Sequence, residues 1–312
     1  MPYVLRLTLY ASRNLTMELL GYILQQCING LQLGAVYALI ALGYTMVYGV
    51  LRLINFAHGD IFMLGAFVGY FLISKFRLPL YLVFILTMLC TSLIGYVIEK
   101  VAYRPLRSAP KISLLITAVG VSLFIEYFFS LNAIFTPNYI AFPRTFGVVG
   151  YDLSLFTVTN VQLIIFSITL ASLVLLYLLI YETKYGKAMR AVSFDQETAA
   201  LMGINIDWII SFTFVAGTAL AGVGGILYGI AYPQINVFMG VMPGIKSFIA
   251  AVLGGIGSIH GAVLGGLIIG LSEVFVSAFI SSTFRDGVIF VILFLVLLLK
   301  PSGIFGKRIE KV

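Results

Sequence analysis

Long runs without a single Asp, Glu, Lys or Arg recur along this chain: 19–51, 78–98, 161–181 and 208–245, while 247–272 carries only His260. A helix rising about 1.5 Å per residue needs roughly 20 apolar residues to cross the hydrocarbon core of a bilayer. Backbone polar groups in lipid must be paired within the chain, which leaves helices or a closed barrel. A barrel writes itself as short alternating segments. These runs are continuous and rich in Leu and Ile, so the expected fold class is an all-α polytopic membrane protein. With 61% hydrophobic and only 10% charged residues, against about 25% charged in soluble domains, the chain also lacks the charge to coat a water-facing surface.

The net charge of +7 does not point to nucleic acid, because the basic residues lie between the apolar runs. Lys100, Arg104, Arg107 and Lys111 form one group; Lys184, Lys187 and Arg190 a second; Lys300, Lys307, Arg308 and Lys311 a third. The positive-inside rule places all three in the cytoplasm. Spans near 61–74, 79–98, 112–131, 161–181, 208–232 and 288–300 then alternate in direction. The stretch 245–280 must cross an even number of times and is rich in glycine, as a re-entrant hairpin or two closely packed helices would be. Run 19–51 is too long for one straight span and is expected to kink at Gly30 or Gly43, or to split at Asn29-Gly30. About eight crossings are expected. Tyr48-Gly49-Val50 with Ile54-Asn55-Phe56 is echoed, on the opposite side, by Tyr228-Gly229-Ile230 with Ile235-Asn236-Val237. This is the pattern of an inverted repeat. Cys27 and Cys90 read as small buried hydrophobes. Met17 reads as a natural beginning, so 1–16 is expected to be an N-terminal extension or arm and 17–312 the transmembrane domain.

Several chemistries are missing. There is no G-x-x-x-x-G-K-[ST], so the chain has no phosphate cradle of its own. Gly254-Gly255-Ile256-Gly257 lacks the lysine and the acidic ribose partner of a nucleotide loop, and reads as close helix packing or an unwound segment lining a path. Only two histidines occur, His58 and His260, without paired carboxylates, so no hydrolytic or metal site assembles.

The longest charged loop is 182–207. Within it, Ser193 with Gln196 forms a capping-box pattern, and Gly203 supplies a left-handed stop. A helix over 194–202, about 13 Å long, is expected. In the segment Asn55 to Asp60, Asp60 is expected to cap the following helix, while Asn55 and His58 are candidates to line or gate a path. Glu126 and Glu273, inside apolar runs, are expected to pair with a neighbouring helix or a partner subunit.

The run Glu197-Thr198-Ala199-Ala200-Leu201-Met202-Gly203 resembles the coupling-loop motif of ABC importer permeases: Glu-Ala-Ala, three residues, then Gly. It departs from that pattern at Thr198, and the distal Ile and Pro are absent. The runs 32–44, Ile54 to Asp60, 250–259 followed by Gly261, and 300–306 resemble the branched-chain amino acid ABC permease, H-type subunit, and the resemblance covers about 17–312. It implies coupling to an ATPase through Glu197, Ala199, Ala200 and Gly203. Asn55, His58, Gly254, Gly255 and Gly257 are the candidates for the substrate pathway. The resemblance further implies a homologous second permease subunit, two cytoplasmic ATPase subunits and an extracytoplasmic substrate-binding protein. ATP and Mg would be used by the ATPases, with no cofactor bound by this chain. The residues alone leave open a permease for urea, amides or other neutral amino acids, and a stand-alone secondary transporter, although a self-sufficient carrier has no use for the 193–203 helix.

Overall fold

In lipid each peptide N–H must find its carbonyl nearby, and the apolar runs coil accordingly. The computed structural model describes residues 2–306 other than Ile54 and Ala133, with side chains described from Met17 onward. In chain order the helices are α1 Pro2–Leu51, α2 His58–Ser74, α3 Leu80–Ile98, α4 Lys111–Phe129, α5 Asn160–Tyr181, α6 Lys184–Phe194, α7 Gln196–Leu201, α8 Ile206–Ala231, α9 Val241–Gly254, α10 Ile259–Phe279 and α11 Arg285–Leu299. A π-helical turn, Glu99–Tyr103, and a 3-10 turn, Arg104–Leu106, extend α3. Four short strands form two antiparallel pairs: β1 Ile140–Ala141 with β4 Gln234–Ile235, and β2 Gly150–Asp152 with β3 Thr157–Thr159.

Helices α1 and α8 form the centre, with their 35–47 and 220–227 stretches almost wholly buried. Around them α3, α4, α5 and α11 turn large apolar side chains outward, among them Leu93, Ile116, Leu175 and Phe294. A helix apolar on all sides and bare on one belongs against lipid. Cys90 lies on such an outward face of α3, and Cys27 is half-buried, so neither is the core residue expected. Lipid offers no hydrophobic drive between helices, so contact depends on small residues that let backbones approach. Gly65 of α2 lies so close to α8 that a Cβ there would sit 2.6 Å from the Cα of Gly222.

Helix α1 is unbroken at Asn29-Gly30, so the expected split does not occur there. Gly30 and Gly34 instead face the backbone of α10 at Leu271 and Leu267, so these glycines serve close packing while the helix continues. The 245–280 stretch is the expected pair of packed helices, α9 and α10, with Gly254 against Gly261 and Gly265 against Ala250.

Among the described residues six helices are long and apolar enough to cross a membrane, fewer than the eight crossings expected. Three expected spans fall outside those six, α2, α9 and α11, of 17, 14 and 15 residues. The first two begin inside the bundle rather than at its surface. His58 of α2 lies against Gly43, eight residues or about 12 Å along α1 from Leu51. Gly240, ahead of α9, lies against Gly59. Two triads, α1–α2–α3 and α8–α9–α10, are each long–short–long, and their packing is reciprocal: α1 lies on α10 and α8 on α3, α2 on α8 and α9 on α1. The triads run in opposite directions, and their short helices meet at Gly59, Gly240 and Gly244. This is the arrangement that the sequence echo at 48–56 and 228–237 anticipates.

The basic loops gather at one end of the bundle. Gln196 donates to the Val50 carbonyl at the end of α1 (3.1 Å), Arg104 and Arg107 pair with Asp207, and Ile304 N–H bonds the Leu253 carbonyl (2.8 Å). That end is cytoplasmic by the positive-inside rule. Lys307, Arg308 and Lys311 lie outside the described residues.

Candidate functional site

At the cytoplasmic end, α5 is followed by a compact helical platform. Thr183 caps α6, its hydroxyl accepting the Gly186 N–H at 3.1 Å, and the Arg190 guanidinium donates to the Ile180 carbonyl. Tyr185, Trp208 and Phe212 stack beneath it, with centroids 5.0–5.5 Å apart. Arg107 reaches both Asp207 and the buried Glu99, which also accepts from Ser211 at 2.6 Å. The loop therefore stands on a fixed base.

The coupling-loop segment is a single short helix, α7, beginning two residues later than expected. Its cap is Asp195, not Ser193. Helix α6 continues through Ser193, whose hydroxyl is committed to the Arg190 carbonyl at 2.8 Å. Asp195, in extended backbone, accepts from the N–H groups of Glu197 (3.0 Å) and Thr198 (3.3 Å) and from the Thr198 hydroxyl (2.5 Å). These bonds, the Thr198 hydroxyl's first, hold its carboxyl below the usual carboxylate range. A lowered folded value stabilises the helix above the ordinary aspartate range, and the contribution is lost as pH falls through the folded value. Asp195→Ala is expected to fray α7, read as faster amide exchange at Glu197 and Thr198 at neutral pH, with the difference from the parent vanishing in acid. Gly203 ends the segment at φ +82°, the left-handed stop expected.

Ala199 is buried against the platform, whereas Glu197, Ala200 and Gly203 are exposed. Beside them stand Phe194, Leu201 and Met202, 87%, 88% and 78% exposed. Large apolar side chains held out on a rigid helical loop are an unusual surface for a segment that is otherwise charged.

The pathway candidates fall in two places. Asn55 and His58 lie in the buried junction of α1, α2 and α9. The Tyr103 hydroxyl donates to Asn55 Oδ1 at 2.7 Å, and the His58 ring meets Tyr44 edge-on at 4.7 Å. Among the described residues, Asn55 Nδ2 and both His58 ring nitrogens find no side-chain partner. Asp60 does not cap α2, which has no side-chain cap; it points across to α4, accepting from Ser122 at 2.5 Å, with Glu126 in hydrogen-bond reach. Gly254, Gly255 and Gly257 sit at the cytoplasmic turn between α9 and α10. Gly255 and Gly257 have φ of +100° and +95°. Gly255 is packed against Gly303 and Gly306 of the chain's tail, while Gly257 faces open space.

Glu273 pairs within the chain, as expected, but with residues that sequence reasoning does not single out. Lys246 Nζ lies 2.6 Å from Glu273 and 2.7 Å from Asp286, and the Tyr37 hydroxyl donates to Glu273 at 2.8 Å. A signal was available: Lys246 is the lone charge between the apolar runs 208–245 and 247–272, and an intramembrane charge is costly enough to need a reason.

Comparison with known proteins agrees with this architecture. The family model described as branched-chain amino acid transport system / permease component matches residues 26–297. The chain is 42% identical over 304 residues to the high-affinity branched-chain amino acid transport system permease protein LivH of Escherichia coli (strain K12), covering 93% of this chain and 98% of that one. It is 41% identical over 300 residues to permease protein BraD of Pseudomonas aeruginosa, with the same coverage. To a probable LivH of Methanocaldococcus jannaschii it is 30% identical over 283 residues, covering 88% of this chain and 89% of that one.

Proposed function

Since the chain belongs to the family of branched-chain amino acid transport permease components, we propose that it is the inner-membrane subunit of an ATP-binding-cassette importer carrying branched-chain or other hydrophobic amino acids inward by alternating access. It is a multi-pass transport subunit and not an enzyme, and it works with partner subunits that supply the ATPase. In full, the assembly proposed contains a homologous second permease subunit, two cytoplasmic ATPases that use ATP and Mg, and an extracytoplasmic binding protein. This chain binds no cofactor itself.

The observation that carries the reading is α7. A transporter driven by an ion gradient has no need of a capped cytoplasmic helix that, with the residues flanking it, holds Phe194, Leu201 and Met202 out to water. A helix of that kind is suited to a groove on another protein, with apolar anchors at its centre and Glu197 at its rim. Ala200 and Gly203 keep one side of it slim, and the buried Ala199 ties it to the membrane domain, so that a push on α7 is passed to α1 and α8. At the other end of the path, the junction at Asn55 and His58 joins the two inverted triads, where rocking of one against the other opens and closes a passage.

The test is uptake of labelled leucine by cells expressing the complete transporter set, with and without this chain. Uptake that requires the chain and ATP, survives an uncoupler while ATP is maintained, and is competed by valine supports the reading. Uptake that follows the ion gradient without an ATPase overturns it. Transport of urea in place of leucine keeps the permease and overturns the substrate.

A further inference from the structure

Lys246 and Glu273 are at membrane depth. Glu273 is 14 residues, about 21 Å, along α10 from its cytoplasmic end at Ile259. Tyr37, whose hydroxyl it accepts, is likewise 14 residues from the cytoplasmic end of α1. Arg285 and Asp286 join the pair from the start of α11: Lys246 Nζ is 2.7 Å from Asp286 Oδ1, and Arg285 Nε is 3.6 Å from Asp286 and 3.9 Å from Glu273. Two cations and two anions thus interleave with no net charge.

Such a cluster is poor scaffolding. Removing ions from water costs more than their attraction commonly returns, and an apolar set of the same volume would pack as well or better. Nor is the cluster sealed in. Lys246, Glu273 and Arg285 line a cleft of about 640 Å³ between α1, α8, α9 and α10 that extends to Tyr22, and Asp286 stands beside it, held by Lys246. Small-molecule pockets run from roughly 300 to 1,000 Å³. Amides of Gln26 and Asn29 line one wall, and Leu33, Met242 and Val274 supply apolar surface beside the charges.

We propose that the Lys246–Glu273–Asp286–Arg285 cluster is a head-group site for a zwitterionic α-amino acid on its way through the permease. The proposal rests on the importer reading above and adds to it a place where the permease itself reads the cargo. An α-ammonium group takes the carboxylates of Glu273 and Asp286, and an α-carboxylate takes Lys246 and Arg285. Each intramolecular ion pair that opens is replaced by one to the ligand, so the number of charge pairs is kept and binding and release both stay accessible. Tyr37 acts as a positioning residue that holds Glu273. An aliphatic side chain rests on Leu33, Met242 and Val274. Urea and simple amides carry neither charge and are refused.

The test is binding of labelled leucine to the complete purified transporter without its binding protein, alongside ATP-driven leucine uptake by the same preparation in proteoliposomes. Wild type is expected to bind leucine, with competition by valine but not by 4-methylpentanoate or 3-methylbutylamine, which each lack one of the two charges. The double variant Lys246→Met/Glu273→Met leaves Arg285 and Asp286 to pair with each other and keeps the site neutral. It is expected to lose at least tenfold in leucine binding and in uptake at saturating binding protein, with assembly and melting temperature unchanged. Glu273→Gln, which keeps the shape and the acceptor for Tyr37, gives the same reading by a second route. Wild-type uptake without any leucine binding, equal competition by the one-charge analogues, or variants that bind and transport like the parent would each overturn the site. Leucine binding that depends on Lys246 and Glu273 but is accompanied by no ATP-driven uptake would sink the importer reading and leave the site standing.

Discussion

Replacing Leu201 and Met202 together by glutamate is expected to abolish uptake while leaving the protein folded and inserted. Both side chains are almost wholly exposed and touch little of their own chain, so the membrane domain loses nothing by the change. An apolar anchor at the centre of an interface is worth about 2 kcal/mol or more, roughly thirtyfold in affinity, and carboxylates forced into an apolar groove add their own desolvation. Co-purification of the ATPase with this chain is the direct measurement, with uptake as its consequence. Glu197→Lys and Gly203→Asp are expected to act in the same direction and more weakly, the first by reversing the rim charge. The second acts by placing a side chain at φ +82°, where an L-residue is strained. Retention of the ATPase and of uptake by the Leu201/Met202 variant would show that α7 is not the coupling helix and that its apolar residues rest on the bilayer surface instead.

Arg107→Ala is expected to cost about 3–5 kcal/mol of stability, because it strands the buried Glu99 with only Ser211 as partner among the described residues. Asp207 still has Arg104, so the loss is concentrated at Glu99. Arg107 and Glu99 both lie in the extension of α3 and reach α8 through Asp207 and Ser211, so the change also loosens the base on which α6 and α7 stand. Thermal unfolding of the detergent-purified protein measures it. Arg107→Leu combined with Glu99→Leu is expected to be far milder than Arg107→Ala alone, since no charge is then left unpaired. Equal stability of Arg107→Ala and the parent would mean that Glu99 has another counter-charge in the assembled protein.

The helix cap shows how local chemistry is half legible. Ser193, Asp195 and Gln196 all suit the start of a helix, and only the length of α6 decides among them. Once that helix runs through Phe194, Ser193 spends its hydroxyl on the Arg190 carbonyl and Asp195 is the next residue free to cap. Asp60 misleads for a related reason. A carboxylate two residues into a helix looks like a cap in one dimension, and nothing along the chain says that Ser122 lies opposite it.

Features that depend on the solvent and on short-range geometry could be read from the residues in order. Charge-free runs of 20 residues or more must be helices in lipid, basic loops mark the cytoplasmic end, and Gly203 ends a turn with a left-handed residue. The echo between 48–56 and 228–237 likewise told of two related halves. Which residues meet across those halves emerged only when the helices were packed together: that α2 and α9 start inside the bundle, that Gly30 packs α1 against α10, and that Lys246, Glu273, Asp286 and Arg285 form one ion-pair cluster. A span is specified by its own hydropathy. A contact between helices is specified by the shape of both, and in lipid, where apolar surface gives no direction, only close packing and charge pairing choose the partner.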